Sequence, residues 1–461
     1  MMDRLAGPSA RVIAVRMGYG HQRTAHPLRS LAPGGEVLLA DDYPGMPESD
    51  KAIWQRMQRF YEFASNARQV PVVGRAAFAV LDFVEKILRF YPKRDLSRPD
   101  WNVRALYSLL GQGWGRHFVD GLTADRPALP IVTSFYTPAF MAEFFDYPGD
   151  IYCIVCDADI ARAWASIHPS SSRIKYFAPT RRAADRLHLY GVRPENVFLT
   201  GYPLPMENIG GDDLAILKED LAQRIVNLDP EGRYVERYGS LVAEKLGDLP
   251  PGPTRPLTIL FSIGGAGAQK EIAADLLRSL KRRIANGEVR LVVSAGIKPW
   301  VRDYVERAVE ESGLAAEVDG AGPEIGGRAG DTGVRILFAE TITEYFRQFN
   351  LALRTTDVLW TKPSELSFYS ALGLPIVLAP PLGAQERANR EWLLRLGAGT
   401  LQDDPADADE WFFDLLETGW FAEAAMEGFV ESETLASQRI AAILRQAAAI
   451  SQAAEAEFAR P

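Results

Sequence analysis

Short Val/Ile/Leu-rich runs alternate with helix-spaced segments over most of this chain, and that alternation constrains the fold more than any other feature. Continuous apolar runs are what strands covered on both faces require, and the helical segments between them supply the crossovers that parallel neighbours need. In the first half the runs fall at Arg11–Arg16, Glu36–Ala40, Pro130–Ser134, Ile151–Val155, Lys175–Ala178 and Asn196–Leu199. In the second half they fall at Leu257–Ser262, Val289–Ser294, Val334–Phe338, Asp357–Thr361 and Pro375–Ala379. Two Rossmann-like sheets in tandem are expected, in an α/β chain whose 461 residues suffice for two cores. The expected units are 1–205, a polar linker with a helical insertion at 206–256, a second sheet domain at 257–408, and Ala/Glu-rich helices at 409–461. The Gly-rich stretch 320–333 reads as a surface loop.

Charge and patterning exclude several classes. Lys plus Arg number 51 and Asp plus Glu 60, a net charge of −9 without any basic block. Nucleic acid is therefore not an expected partner, because phosphate neutralisation needs clustered cations. The apolar run Val12–Val15 is too short for a signal peptide, and no run approaches the roughly eighteen apolar residues of a spanning helix. A cytoplasmic protein is expected, free or held at a membrane surface. The two cysteines, Cys153 and Cys156, form a C-x-x-C inside the strand-like IYCIVC. Strand residues three apart point to opposite faces, so buried inert thiols are expected rather than a redox pair or a zinc site.

From Lys51 to Tyr91 the spacing is helical, with Trp54, Phe60, Tyr61, Phe63, Phe78, Leu81, Phe83, Phe90 and Tyr91 interleaved with arginines and lysines as far as Arg94. Two readings stand side by side: helices packed on a sheet with solvated basic faces, or a surface over 51–94 that docks on anionic lipid.

Three segments carry chemistry. Gly18-Tyr19-Gly20-His21 follows the first strand, either as a plain tight turn or as a loop whose glycines let a ligand approach the backbone, with His21 at the carboxyl edge of the sheet. Gly264-Gly265-Ala266-Gly267 follows the strand ILFS and precedes a helix, an arrangement able to hold a diphosphate on backbone N–H groups. It lacks the Gly-Lys-Ser/Thr ending of a Walker loop, and the next strand ends in Ser294-Ala295-Gly296 with no acidic ribose reader, which disfavours a nicotinamide dehydrogenase. The third segment runs from Asp357 to Gly399: a strand leads into Lys362-Pro363-Ser364-Glu365, with Ser364 as expected helix cap, and the next strand leads to Gln385, Glu386 and Asn389. Amide and carboxylate side chains at this spacing can read sugar hydroxyls, which both donate and accept.

This third block resembles the donor-binding region of the GT-B glycosyltransferases typified by monogalactosyldiacylglycerol synthase and the peptidoglycan lipid-linked N-acetylglucosaminyltransferase. Gly18–His21 resembles that family's first glycine loop. Cys156-Asp157 with Trp164 and His168 resembles its strand-ending Thr-Asp and the aromatic stretch after it, and Thr200-Gly201-Tyr202-Pro203 its T-G-x-P. Gly264–Gly267, Phe338–Tyr345 and Gly383–Asn389 resemble its phosphate loop, base-side loop and sugar-reading loop. Two departures stand out. The turn after Lys362 is short, so that the family's ribose-gripping Glu falls near Phe368, and the loop Ser134-Phe135-Tyr136 lacks a histidine.

The resemblance implies two Rossmann-like domains facing each other across a cleft. It also implies inverting, metal-independent transfer of a sugar from a nucleoside diphosphate donor, a UDP-sugar, to a lipid or small-molecule hydroxyl. The donor is a substrate, so no cofactor is implied. His21 would be the base and Asp157 a second base or the group orienting it. The donor site would comprise Gly264, Gly265, Gly267, Phe338, Thr341, Lys362, Ser364, Glu365, Gln385, Glu386 and Asn389. Gly18, Gly20, Ser134 and Tyr136 would lie on the acceptor side. Two other classes remain: a nucleotide-sugar epimerase, which would need a carboxylate set not evident here, and a non-catalytic nucleotide- or sugar-binding protein.

Overall fold

The computed structural model describes residues 9–66, 86–123, 128–319 and 333–458. The chain divides into two compact units, the first comprising Met1–Leu204, Gly383–Ala388 and Leu435–Pro461, the second Pro205–Leu382 and Asn389–Thr434.

The first unit is built on a parallel sheet of β1 (Arg11–Ala14), β2 (Leu38–Leu39), β3 (Ile131–Thr133), β4 (Ile151–Ile154), β5 (Lys175–Ala178) and β6 (Val197–Leu199). Its strand order is β2-β1-β3-β4-β5-β6, so the direction of winding reverses between β1 and β3. Every residue of β3 and β4 is buried, which explains why these strands read as unbroken apolar runs. Ile440, Ala441 and Leu444 of the helix Ala436–Phe458 join Val12, Val132, Tyr152 and Phe177 in one apolar cluster. The C-terminal helix thus closes a face of the first sheet.

Both cysteines are free and buried. Burial alone pushes the Cys153 thiol well above its ordinary value, as an inert core thiol requires.

In the second unit β7 (Leu257–Ser262), β8 (Val289–Gly296), β9 (Ala316–Val318), β10 (Val334–Phe338), β11 (Val358–Thr361), β12 (Ile376–Leu378) and β13 (Gly399–Leu401) form a second parallel sheet. The order is β13-β12-β11-β7-β8-β10-β9, with the reversal between β7 and β11. The chain thus holds two Rossmann-like α/β units. Strands β9 and β13, at the two edges, are additions to the sequence reading. An edge strand has one neighbour and carries less apolar sequence, here AEV and GTL.

The segment 206–256, read as a linker with a helical insertion, folds into the second unit as the helices Met206–Ile209, Ala215–Leu228 and Arg233–Leu246. Arg224 is fully buried there and donates to the carbonyls of Thr356, Leu372, Gly373 and Leu353 at 2.8–3.2 Å. Burial lowers its pKa to about 10, a cost that four accepting carbonyls offset.

The N-terminal aromatic segment departs from its expected form. A helix covers Glu48–Asn66, whereas residues 86–91 carry no helix. Pro92 follows directly and disfavours helical backbone at the residue before it. Trp54 is buried against Trp114 at 5.0 Å between ring centroids, and Phe90 is buried beneath the guanidinium of Arg182 at 3.7 Å. Both aromatics serve packing, while Tyr91 is 68% exposed. The remainder of this surface at 67–85, with Arg68, Arg75, Phe78, Leu81 and Phe83, lies outside the described residues, as does the Gly-rich stretch 320–332. No described helix is long and apolar enough to cross a membrane.

Asp357, wholly buried at the start of β11, accepts two hydrogen bonds from Arg255 at 2.6 and 2.7 Å. It also accepts from the Thr258 backbone N–H at 2.8 Å and from Asn227 at 2.9 Å. Replacing one member of a buried, hydrogen-bonded ion pair strands the other, so Asp357→Ala is expected to cost about 3 kcal/mol. Urea unfolding followed by tryptophan emission, to which Trp360 on β11 contributes, measures this. Loss of less than about 1 kcal/mol would contradict the assigned role.

Candidate functional site

The carboxyl edge of each sheet, at the point where winding reverses, is where an open α/β sheet leaves room for a ligand.

In the first unit β1 pairs with β3 and β3 with β4, so the loops leaving these strands are neighbours. The loop after β1 is anchored by Arg16, whose backbone N–H and Nε donate to Asp41 at 3.1 and 3.2 Å. Desolvation raises the Asp41 pKa, and the Arg16 charge and hydrogen bonds oppose the rise. Gly18 then adopts φ 83° and ψ 179°, a conformation essentially restricted to glycine, and the short helix Tyr19–Ala25 begins. His21 lies in its first turn. Its Nδ1 is 2.8 Å from the Ser134 carbonyl, which can only accept, so Nδ1 carries a proton. The Cys156 sulfur is 3.5 Å from the same nitrogen, and the Phe135 and Trp164 rings lie 4.7 and 6.5 Å from the imidazole. Ser134 thus acts through its backbone, its side chain being wholly buried.

Thr24 donates to the Gly20 carbonyl at 2.8 Å and therefore receives its 3.0 Å bond from the Tyr202 hydroxyl. The glycine loop and the Thr200–Pro203 segment are tied together by this pair. Tyr136 starts the helix Tyr136–Phe144 and meets Trp164 edge-on at 5.3 Å. Asp157 is half-buried just beyond Cys156 in the loop leaving β4, and His168 is exposed.

In the second unit β7 lies between β11 and β8, with Ser262 paired to Thr361 on one side and Ser294 on the other. The Gly264–Gly267 loop leaves β7 and closes on a 2.7 Å bond from the Gly267 N–H to the Gly264 carbonyl, before the helix Glu271–Ser279. Lys362 leaves β11 next door. A side-chain carbon built on Gly264 would stand 3.2 Å from Lys362 Cε, so the lysine stem lies over the glycine. On the other flank Gly267 has φ 72°, and a side chain there would overlap the ring of Trp300, a residue the sequence reading did not single out. Gln269 donates to the Pro380 carbonyl at 2.9 Å, joining the loop to the segment after β12.

Several predicted donor residues have structural partners. Asn389 is buried and its amide donates to the Pro363 carbonyl at 3.3 Å, which steadies the Lys362 turn. Gln385 and Glu386 lie in the first turn of the same helix, Ala384–Leu396, are half-buried, and fall with Gly383–Ala388 in the first unit. Ser364 does precede a helix, but a 3₁₀ one (Glu365–Leu372), and its side chain makes no capping bond. The cap expectation is corrected accordingly: the bond there runs from the Ser367 N–H to the Ser364 carbonyl. Glu365 opens that helix and is half-buried, whereas Phe368 is buried against Trp392 at 4.9 Å. Thr341 caps the helix Ile342–Leu353 by accepting from the Glu344 N–H, and Phe338 is buried with Arg302 stacked on it at 4.7 Å. Among the described residues no three His, Cys, Asp or Glu side chains are grouped as a metal site.

Residues 252–418 match a family model described as a domain of unknown function, DUF6938. No curated protein matches the chain. Among solved structures the chain is similar to Acinetobacter baumannii MurG, at 13% identity over 75% of this chain and 78% of that one, with a TM-score of 0.42. It is similar to a Neisseria meningitidis UDP-GlcNAc 2-epimerase bound to UDP-GlcNAc, at 12% identity over 78% and 84%, TM-score 0.43. A glycosyltransferase from Rickettsia africae is similar at 12% identity over 95% and 99%, TM-score 0.42.

Gly267→Ala is expected to destabilise the second unit by about 2 kcal/mol, from left-handed backbone together with displacement of the Trp300 ring. Gly252→Ala, where an added carbon would meet nothing within 4 Å, serves as its control in thermal unfolding, and equal melting temperatures for the two variants would contradict the packing described.

Proposed function

We propose that this chain is a glycosyltransferase that moves a sugar from a nucleoside diphosphate donor, a UDP-sugar, to a hydroxyl of a lipid or small molecule with inversion at the sugar carbon. The observation that carries the reading is the seating of Lys362 over Gly264 at the β7/β11 reversal. A cation beside a glycine turn suits the charge that builds on a departing diphosphate, through ammonium and backbone N–H donors together. On this reading the protein's own donors neutralise the leaving group and no metal is required.

The first unit would supply the base. The acceptor oxygen attacks the anomeric carbon as the carbon–oxygen bond to the diphosphate breaks, and the acceptor proton passes to His21 Nε2. The Ser134 carbonyl suits this role by keeping the Nδ1 proton in place, so that Nε2 presents its lone pair. Asp157 is retained in the proposal as a second candidate base. Tyr91, exposed with the Arg182 guanidinium 5.7 Å from its ring centroid, supports contact with an anionic membrane carrying a lipid acceptor.

A second reading is favoured by one observation. Phe368, at the position where the resembled family carries its ribose-gripping Glu, is packed into the core against Trp392. A protein that binds a nucleotide sugar without transferring it would fit that replacement.

Thermal shift with UDP and UDP-sugars separates the outcomes, because a ligand bound to the native state raises Tm by mass action. A shift for wild type that disappears in both Gly265→Trp and Lys362→Ala is expected. His21→Ala should keep the shift and lose transfer. Binding without turnover in wild type would favour the second reading, and no shift with any nucleotide would remove the donor site. Separately, vesicles containing anionic phospholipid should sediment wild type more strongly than Tyr91→Ala/Lys93→Glu. Equal sedimentation would remove the membrane contact.

A further inference from the structure

Trp300 is the second residue of the helix Pro299–Ser312, which follows β8, and it is 48% exposed. Trp101 is as open, at 50%, so exposure alone does not set Trp300 apart; its contact with the glycine loop does. Its position is set by contact with that loop. The six-membered ring rests where a side chain on Gly267 would otherwise stand, and Gly267 holds the positive φ that glycine tolerates. Loop and ring are therefore fitted to each other, and the pairing of β7 with β8 through Ser262 and Ser294 brings their loops side by side. Lys270 lies 5.9 Å from the Trp300 ring and 5.0 Å from that of Tyr304, one turn along the same helix, while also pairing with Glu271 at 2.7 Å.

We infer that Trp300 is the stacking platform for the nucleobase of the donor, a specificity-determining residue that separates nucleoside diphosphates from bare diphosphate. The inference rests on the donor site proposed above, whose base-side loop at Phe338–Tyr345 follows β10, the neighbour of β8. In the order β12-β11-β7-β8, the glycine loop and Lys362 occupy the middle. The turn after β12, joined to the glycine loop where Gln269 donates to the Pro380 carbonyl, lies on one side of it. Trp300 follows β8 on the other. A nucleoside diphosphate sugar with its diphosphate on the Gly264–Gly267 loop has one end to place on each side. A π face flanked by a cation suits a flat base, whereas a sugar needs donors and acceptors.

The test measures dissociation constants of UDP, a UDP-sugar and inorganic pyrophosphate by calorimetry on the full chain, for wild type, Trp300→Ala and Trp300→Phe. Base–aromatic stacking predicts that Trp300→Ala weakens UDP and the UDP-sugar alike by about tenfold or more. Pyrophosphate affinity should change by about twofold or less, and Trp300→Phe, which keeps an aromatic ring against Gly267, should retain most of the UDP affinity. Equal losses for UDP and pyrophosphate would make Trp300 a support of the loop only and overturn the assignment. Loss confined to the UDP-sugar would place the sugar on the indole and overturn it as well. If wild type binds pyrophosphate but gains nothing from the nucleoside, the platform fails while the anion site stands. If wild type binds none of the three, the donor site itself fails.

Discussion

The buried carboxylate of Asp357 sets the geometry on which the second unit depends. It takes the Thr258 N–H and the Arg255 guanidinium at one end of the β7/β11 pair, and the two strands then run in parallel to Ser262 and Thr361. A slip of one residue would reverse every side chain in β11 and carry the turn that follows with it. Lys362 lies over Gly264 because this register is held at its far end. A buried ion pair adds little net stability over an apolar pair, but it discriminates strongly among alternative registers, since any misplacement strands a charge. Here that discrimination serves the position of a lysine stem against a glycine loop.

The first unit applies the same layout to different chemistry. Its sheet also reverses next to its opening strand, and the loops of β1, β3 and β4 meet at the carboxyl edge. What they assemble is an imidazole held by a backbone carbonyl, with Phe135, Trp164 and the Cys156 sulfur around it. The second unit assembles glycine N–H groups, a lysine and an exposed indole. One architecture thus places an imidazole at the carboxyl edge of one sheet and a glycine turn with a lysine at that of the other.

Much of this could be read from the chain. The central strands are legible because double coverage demands unbroken apolar runs such as VIA, IVT and TILF. The edges β9 and β13 were missed because AEV and GTL carry no such demand. Residue types at loop positions were also legible: Gly18, His21, Gly264 and Lys362 all stand at carboxyl edges. What one residue does to another was not. The contact of Lys362 with Gly264 depends on register between strands far apart in sequence, and the fit of Trp300 to Gly267 on the pairing of β7 with β8. Ser364 and Glu365 have the spacing of a helix start, but the tight 3₁₀ turn leaves the serine side chain without its capping bond. Similarly, helical spacing in the N-terminal segment could not tell that Trp54 and Phe90 turn inward while Tyr91 stays out.

The central claim is that the loops leaving β7, β8 and β11 form one nucleotide site. Amide hydrogen exchange of the full chain, with and without saturating UDP, tests it most directly. The account predicts slowed exchange in peptides covering 262–270, 298–304 and 361–366, with the β9 and β13 edges unchanged. Bound UDP that leaves those three segments unprotected, or protects a different part of the chain in their place, would contradict it.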